Sequence, residues 1–396
     1  MTILFVLCFL DRVNLSYAAL DMNRELGFAP SVYGFGAGIF FLGYFLFEVP
    51  GAMLVERRSA RIWLGAMLIA WGTCAALMGT VHSMPQFYAL RFLLGVAEAG
   101  FFPGIIIYLS HWFPRADRAR AIGALAVGLP AANLVGAHVS SWLLRHDWLA
   151  IAGWRWLFVV EGVPSIFFGI GTMLWLKDHP RDAKWLSSPE REWLEATLRN
   201  EGAQGTARPE AAQPLLNRGL VVLSAIWFLD NMGVYGFNLW LPLIIKRLSG
   251  FSSATVAAVS SLPFLGALAA AAFVSLSSDR SGERRWHTAL PMLIFGTGLG
   301  ASVLCGGSLW LSMAALCVAA LGLTSGTPGF WALATAAPGA AGSARVAIIT
   351  SMGALGGFCG PYLMGYLRAA TNGFESGLFV LSGIVLLAGL LVLTRK

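Results

Sequence analysis

The chain has 396 residues, of which 57% are hydrophobic and only 12% are charged, and its mean hydropathy is +0.70. Soluble domains carry about 25% charged residues, so this composition excludes an ordinary soluble protein. Apolar runs of roughly 20 residues, the length that crosses a hydrocarbon core of about 30 Å, recur along the chain. We therefore expect an all-α membrane protein that crosses the bilayer many times.

In chain order, the sequence predicts twelve membrane-spanning helices, which we number as spans 1 to 12. Glycine and proline interrupt many of them, which is tolerated where neighbouring helices satisfy the freed backbone groups. The predicted ranges are 1–20, 33–55, 62–81, 87–111, 120–144, 155–176, 219–245, 254–276, 287–306, 309–335, 344–368 and 375–394.

The distribution of charge predicts the orientation. Most of the 27 basic residues lie in the loops on the side that holds both termini. Cytoplasmic loops are rich in Lys and Arg, so we expect both termini in the cytoplasm. The net charge of +7 is thus explained by topology, and it does not indicate a nucleic-acid partner.

The longest polar loop divides the chain into three parts. We expect a six-helix bundle over 1–176, a cytoplasmic linker over 177–218 and a second six-helix bundle over 219–396. Within the linker, Ser188 and Pro189 followed by acidic residues are typical of a helix start. They predict a short amphipathic helix on the membrane surface.

Two short sequence matches indicate that the second bundle repeats the first. The triplet FLD occurs at 9–11 and again at 228–230. The charged loops ERRSAR (56–61) and DRSGERR (279–285) lie at similar offsets. This pattern favours a duplicated six-helix unit, as in transporters built from parallel repeats.

Ionisable residues at membrane depth are the strongest functional signal. Asp11 and Arg12 are adjacent in span 1, and Glu98 lies in the middle of span 4. Such residues are costly in a bilayer and usually mark ion or substrate pathways. Arg12 cannot lose its proton, so it needs a permanent counter-charge or an anionic ligand. Asp11 lies about 100° away around the helix, so the two side chains can point at different partners.

These three residues allow two interpretations. Glu98 and Asp11 are protonatable carboxylates near a fixed cation, which is the combination that a proton relay needs. The alternative is a static ion pair between Arg12 and Glu98 that joins two helices. Because apolar packing can replace such a pair without loss of stability, the functional interpretation is favoured.

Further polar residues lie within predicted spans. We interpret Glu48, near the cytoplasmic end of span 2, and Glu161, in span 6, as structural, and leave Asp230 open. An imidazole such as that of His138 can titrate near neutral pH. For each candidate, the alternative is a packing residue. The residues that could line a cavity are Tyr44, Asn133, His138, Tyr235, Asn238 and Trp331.

Several other function classes lack support. The five cysteines lie in apolar runs without metal-ligand spacing, so we expect packing thiols and no metal site or cofactor. The glycine-rich run 351–361 lacks the Lys-Ser/Thr ending of a phosphate loop, and no hydrolase motif occurs, so the sequence does not indicate an enzyme. A membrane-embedded sensor would need a signalling domain, and the linker 177–218 is too short for one.

The spans also carry motifs of a known family. They are DRVNLSYA in span 1, GIFFLGYFLFEVPGAML in span 2, RFLLGVAEAGFFPG in span 4, GWRWLFVVEGVPS at span 6 and GFWALAT in span 10. Over nearly the whole chain, the sequence resembles the anion:cation symporter family of the major facilitator superfamily. It is most similar to bacterial permeases for organic acids of the tartrate, phthalate and hydroxyphenylacetate type.

The resemblance implies two six-helix domains around a central cavity lined by spans 1, 4, 7 and 10. It implies that Arg12 holds the substrate carboxylate or pairs with Glu98, that Asp11 and Glu98 couple protons, and that Tyr44 and Trp331 contact substrate. It also implies a monomer in the bacterial inner membrane.

Other positions carry a more specific expectation. Thr350 and Leu129 stand where some sugar-acid members have Asn and Gln, which favours a less polar acid. The superfamily's loop motif after span 2, with its equivalent after span 8, implies a conformational role for four charged residues: Glu56, Arg57, Asp279 and Arg280.

The expected function is therefore proton-coupled uptake of a small organic carboxylate by alternating access. The partners are the organic anion, protons and membrane lipids. The alternative within transport is an uncoupled facilitator or exchanger of organic anions.

Overall fold

The structure is a computed structural model. It describes residues 1–57, 59–114, 117, 121, 125, 128–205, 217–335 and 341–394, and for 49, 52–57, 129–130, 202–205 and 341–344 it describes the backbone alone.

Throughout this described part, the regular structure is helical. One turn of 3₁₀ helix, Pro180–Asp182, lies in the linker. The α-helices are α1 (Thr2–Glu25), α2 (Pro30–Arg57), α3 (Ala60–Met78), α4 (Met84–Glu98), α5 (Phe101–Ser110), α6 (Gly128–Leu143), α7 (Gly153–Trp175), α8 (Ser188–Gly205), α9 (Arg218–Ser249), α10 (Ser253–Val259), α11 (Leu262–Ser281), α12 (Arg285–Leu304), α13 (Leu309–Leu323), α14 (Thr327–Thr335), α15 (Ala341–Thr371) and α16 (Glu375–Leu393).

The predicted all-α architecture with many spans is confirmed. Eleven segments within the described ranges are long and apolar enough to cross a membrane. Three of the predicted spans are each built from two consecutive helices, α4 with α5, α10 with α11, and α13 with α14. The remaining predicted span, 120–144, is helical over Gly128–Leu143, and most of its first part lies outside the described residues.

Glycines let neighbouring helices approach closely. A Cβ atom on Gly65 of α3 would lie 2.7 Å from the carbonyl oxygen of Gly169 in α7, and one on Gly72 would lie 2.7 Å from that of Gly162. Small residues at such crossings are typical of membrane helix pairs, where van der Waals packing drives association. The Gly162 that follows Glu161 therefore has a packing role.

We call residues 1–176 the first half and 219–396 the second half, and their separation into two domains at 177–218 stays a prediction. We call the end where α1 ends and α2 begins the far end, and the end that holds Met1 the near end. The halves touch at the far end. The Tyr33 hydroxyl donates to the Leu239 carbonyl at 2.6 Å, and the Ser253 hydroxyl donates to the Asp21 carboxylate at 2.9 Å.

The helices α2 and α15 also pack directly at the far end. A Cβ atom on Gly34 would lie 2.9 Å from the Cα atom of Gly365. The two backbones are therefore in van der Waals contact, and together with the hydrogen bonds this packing closes the far end.

The linker contains the predicted amphipathic helix, α8, and is anchored to the first half. Asp178 accepts hydrogen bonds from the Ser59 hydroxyl at 2.5 Å and from the backbone N–H of Arg61 at 2.9 Å, and it forms an ion pair with the Arg61 side chain. Ser59 caps α3 by accepting from the N–H of Ile62. One carboxylate thus fixes the start of α3 and the start of the linker together.

Candidate functional site: a buried cation and carboxylate cluster

Arg12 and Glu98 form an ion pair between α1 and α4. Arg12 Nε lies 2.8 Å from Glu98 Oε2, and Cys8 Sγ donates to the same oxygen at 3.3 Å. Cys8 and Arg12 are four residues apart, so they share one face of α1. The Glu98 side chain is fully buried, whereas that of Arg12 is 13% exposed. Of the two side chains, that of Arg12 is therefore the one with solvent access.

Glycine positions the carboxylate. Glu98 is the last residue of α4, and Gly95, one turn earlier, packs on α2 so closely that a Cβ atom would lie 1.9 Å from the Phe40 carbonyl oxygen. This contact holds the end of α4 against α2. The Glu98 carboxyl consequently reaches Arg12 across 86 positions of sequence.

Three aromatic rings surround the Arg12 guanidinium. Its central carbon lies 5.2 Å from the ring centres of Phe9 and Phe40 and 5.1 Å from that of Tyr44. Cation–π contacts of this kind stabilise a desolvated guanidinium by about 2 kcal/mol or more. The aromatic cluster therefore holds Arg12 in place while leaving part of its hydrogen-bonding edge for a ligand.

A second buried cation faces the same ring. The side chain of Arg91 is 1% exposed, and its guanidinium carbon lies 5.0 Å from the Phe40 ring centre. Arg91 donates to the backbone carbonyls of Gly36 and Ala37, at 3.3 and 3.5 Å. Among the described residues, no carboxylate lies within ion-pair distance of Arg91. Arg91 is not among the residues that the sequence pattern singles out.

A small cavity lies beside both arginines. It has a volume of about 10 Å³, which is room for roughly one water molecule. None of the lining residues is acidic. They are Phe9, Arg12, Val13, Phe41, Arg91, Tyr235, Asn238 and Leu239, contributed by spans 1, 2, 4 and 7.

Asn238 and Tyr235 bring the second half into this cavity. The Asn238 amide nitrogen donates to the Val234 carbonyl at 3.0 Å, whereas its buried oxygen has no hydrogen-bond partner among the described residues. Tyr235 packs on Phe41 with ring centres 4.2 Å apart and interacts with Arg12. The arginines belong to the first half and these polar groups to the second, so a ligand bound here would contact both.

Asp11 points away from this cavity. Its Oδ2 accepts from the Ser165 hydroxyl of α7 at 3.4 Å, and its buried Oδ1 has no partner in the described part of the chain. Glu161, one turn before Ser165, is also buried. Asp11 and Arg12 therefore contact different helices, as their angular separation predicts.

The remaining substrate candidates lie in different surroundings. Trp331 of α14 packs at 5.1 Å against Trp227. The Thr350 hydroxyl of α15 donates to carbonyls of its own helix. The exposed His138 shares a helix face with the exposed Val135 and Trp142, and its Nδ1 lies 2.8 Å from the Leu134 carbonyl oxygen. None of these three residues lines the Arg12 cavity.

The two charged loops differ in what the structure describes. Glu56 and Arg57 end α2, and their side chains lie outside the described part. In the second loop, Asp279 forms an ion pair with Arg284 at 2.7 Å, whereas Arg280 is exposed at the end of α11.

Glu48 is a further residue whose position the sequence does not predict. Its Oε2 accepts from the Ser351 hydroxyl of α15 at 3.3 Å, although 303 positions separate the two residues. A buried carboxylate of the first half is thus bonded to the second half.

The chain belongs to the Major Facilitator Superfamily, whose sequence profile matches residues 1–259. It is a multi-pass membrane transporter and not an enzyme. The chain is 40% and 39% identical to two proteins of Agrobacterium vitis, each named putative tartrate transporter, over 99% of this chain and 92% and 87% of theirs. It is 37% identical to the quinolone resistance transporter of Acinetobacter baumannii, over 99% of this chain and 91% of that one.

The fold is similar to that of a solved transporter. The crystal structure of a bacterial homologue of the human lysosomal transporter Spinster, in an inward-facing and occupied conformation, superposes with a TM-score of 0.79. It covers 99% of this chain and 94% of that one at 17% identity. At this identity the similarity establishes the major facilitator fold alone.

Proposed function

We propose that this protein takes up a small organic carboxylate together with protons by alternating access. The observation that carries the proposal is the cavity lined by Arg12 and Arg91 and by no acidic residue. Two buried guanidiniums facing one ring favour an anionic ligand, because a planar carboxylate can accept two hydrogen bonds from one guanidinium. The Agrobacterium relatives named for tartrate support an organic acid as that ligand.

Proton coupling follows from the Arg12–Glu98 pair. When Glu98 is ionised it occupies Arg12, and when it is protonated it releases Arg12 to the substrate carboxylate. One carboxylate thus exchanges for another at the same cation, and the proton travels with the substrate. Asp11, buried beside α7 with an oxygen that has no partner among the described residues, is a further protonatable group and relays protons to Glu98 in this proposal.

The energetics favour a symporter over an uncoupled carrier. Moving one negative charge into a cell against a potential of 100 mV costs about 2.3 kcal/mol. A proton carried with a monoanion cancels that cost and adds the driving force of the pH gradient. We place both termini and the linker in the cytoplasm of a bacterium, with the far end facing outward, in accord with the distribution of Lys and Arg.

The first test is proton movement in liposomes. The purified protein is reconstituted with a pH-sensitive dye inside and no imposed gradient, and a panel of acids is added outside: tartrate, phthalate, 4-hydroxyphenylacetate, galactonate, glucarate and a quinolone. We expect acidification with at least one carboxylate. The quinolone is included because of the Acinetobacter relative.

A matched pair of variants gives the test its specificity. Arg12→Ala removes the buried cation, and Arg24→Ala removes an exposed arginine from the same helix, whose side chain is 81% exposed. We expect Arg12→Ala to abolish acidification and Arg24→Ala to retain it. Radiolabelled counterflow without acidification in the wild type would instead support the uncoupled exchanger.

A further inference from the structure

The contact between α2 and α15 changes character along its length. From the far end inward, a Cβ atom on Gly34 would meet the backbone of Gly365, and one on Gly38 would lie 2.7 Å from the Phe358 carbonyl oxygen. Deeper still, the Phe41 ring packs on Gly357. These contacts are made by backbone and apolar groups. We call this run of contacts the seam.

The polar contact of the seam is Glu48 with Ser351, nearer the near end. The Glu48 side chain is buried, with a relative exposure of 7%. Its described polar contacts on α15 are the Ser351 hydroxyl, which donates to it, and the Thr350 hydroxyl, which also donates to carbonyls of its own helix. Within the described part of the chain, the Glu48 carboxyl has no ion-pair partner on α15.

Among the described residues, the charged and titratable groups that face Glu48 belong to the candidate site. They are Tyr44, one turn earlier on α2, and Arg12 of α1, whose guanidinium lies against the Tyr44 ring. Glu48 therefore adjoins the proposed substrate site on one side and the second half on the other.

This position couples the protonation of Glu48 to the arrangement of the halves. An ionised carboxylate taken out of water costs free energy unless charged or multiple hydrogen-bond donors replace the water. Hydroxyl groups replace little of the hydration of an ionised carboxylate, so the closed seam favours the protonated form of Glu48. Opening of the seam toward the near end breaks the hydrogen bond with Ser351 and admits water. This water solvates the ionised carboxylate of Glu48. Each closing then binds a proton and each opening releases one.

We propose that Glu48 is a second proton-binding residue, which takes up a proton as the α2–α15 seam closes and releases it as the seam opens. This inference rests on the proposed function, in which Glu98 carries the first proton. Two protonatable carboxylates allow a dianion with two carboxylate groups, such as tartrate, to enter without net movement of charge.

The test in transport is the ratio of protons to substrate. In proteoliposomes with tartrate, the ratio is measured as the pH gradient that just balances a set tartrate gradient. We expect about two protons per tartrate in the wild type and about one in Glu48→Gln, which keeps the shape and stays neutral. Glu192→Gln, an exposed residue of α8, is the control and keeps the wild-type ratio. A ratio unchanged in Glu48→Gln would overturn the proposal.

A second measurement does not depend on substrate. Hydrogen–deuterium exchange of α2 and α15 is followed against pH in the substrate-free protein, with rates corrected for intrinsic exchange. We expect exchange near Glu48 to rise several-fold with pH in the wild type and to stay flat in Glu48→Gln. If the wild type carried no acid with protons but still showed this rise, the proposed function would fail while Glu48 kept its role in the seam.

Ser351→Ala covers the case in which Glu48→Gln does not fold. This variant keeps the carboxyl and removes a hydroxyl that donates to its ionised form. Glu48 in the closed seam should then stay protonated to higher pH. The rise in hydrogen–deuterium exchange near Glu48 should therefore also occur at higher pH. If the midpoint pH of this rise in exchange is unchanged or lower in Ser351→Ala, the assignment of Glu48 as the proton-binding residue of the seam is contradicted.

Discussion

Arg12 and Arg91 face the same aromatic ring, with their guanidinium carbons 5.2 and 5.0 Å from the centre of Phe40. The two residues come from different helices, and one described carboxylate, Glu98, is in ion-pair contact with one of them. Like charges repel each other, and the ionised Glu98 offsets this repulsion through its contact with Arg12. The Phe40 ring and the carbonyls of α2 hold the two guanidiniums in positions that a bound carboxylate would stabilise.

The first prediction follows for Arg91. We expect Arg91→Met to weaken binding of the transported acid by about thirtyfold or more, because loss of a buried charge contact costs about 2 kcal/mol or more. The affinity of Arg91→Lys should lie between those of the wild type and of Arg91→Met, since Lys keeps the charge but lacks the paired N–H donors of the guanidinium. Isothermal titration in detergent checks both, with Arg24→Met as the exposed control. Unchanged affinity in Arg91→Met would remove Arg91 from the site.

The second prediction concerns Glu98. Glu98→Gln should abolish uptake driven by a pH gradient and retain counterflow, because the variant binds substrate without binding a proton. Since Arg12 then lacks its buried counter-charge, the free protein should be less stable, by about 3–5 kcal/mol for a broken buried pair. Addition of the acid should therefore raise the melting temperature more in the variant than in the wild type. Full pH-driven uptake with loss of counterflow would show that Glu98 has another role.

The third prediction concerns closure of the far end. Gly34→Val places a side chain where a Cβ atom already lies 2.7 Å from the Pro361 carbonyl oxygen. We expect transport to fall at least tenfold while substrate binding remains. Labelling of Ser253→Cys by an impermeant thiol reagent should increase, in a background without the five native cysteines. Gly383→Val is the control, because a Cβ atom there meets nothing within 4 Å.

The fourth prediction is a pH dependence outside the membrane. Partial burial alone would raise the pKa of Glu283, but the backbone N–H of Trp286 and the ring and N–H of His287 lower this pKa below its usual value. A lowered folded-state pKa means that the ionised residue stabilises the protein above the unfolded pKa of about 4.3. This stabilisation is lost as pH falls through the folded pKa.

The measurement is thermal unfolding in detergent. Glu283→Gln should melt below the wild type at pH 7, and the difference should shrink under acid conditions. Glu192→Gln, on the surface of α8, should show no such difference at either pH. A difference in melting temperature between the wild type and Glu283→Gln that grows at acid pH would contradict the lowered pKa of Glu283.

The sequence predicts the spans and the charged cluster better than it predicts contacts between the halves. Arg12 and Glu98 were found because charges at membrane depth are rare enough to be informative. The position of Glu48 near the end of span 2 favours a structural interpretation. Its bond to Ser351 joins residues 303 positions apart and leaves no local pattern. The sequence likewise does not reveal the contacts of Arg91, because its partners are backbone carbonyls of α2.

His138 illustrates the difference between a polar position in a span and its surroundings in the fold. A polar residue in the middle of a span suggested a cavity, yet the structure places its side chain on the exposed face of α6. Val135 and Trp142, three residues before and four after, are apolar and share that face. The periodicity that would have assigned His138 to the outer face was present in the sequence.

The cavity of about 10 Å³ beside Arg12 has a consequence for affinity. In the proposed mechanism, an organic acid reaches Arg12 only when Glu98 releases it, and Glu98 is then a competitive inhibitor that is covalently attached to the receptor. A tethered group of this kind competes at an effective concentration in the millimolar range or above. Affinity measured at equilibrium will therefore understate the intrinsic strength of the site, and acid conditions should recover it by neutralising the built-in competitor.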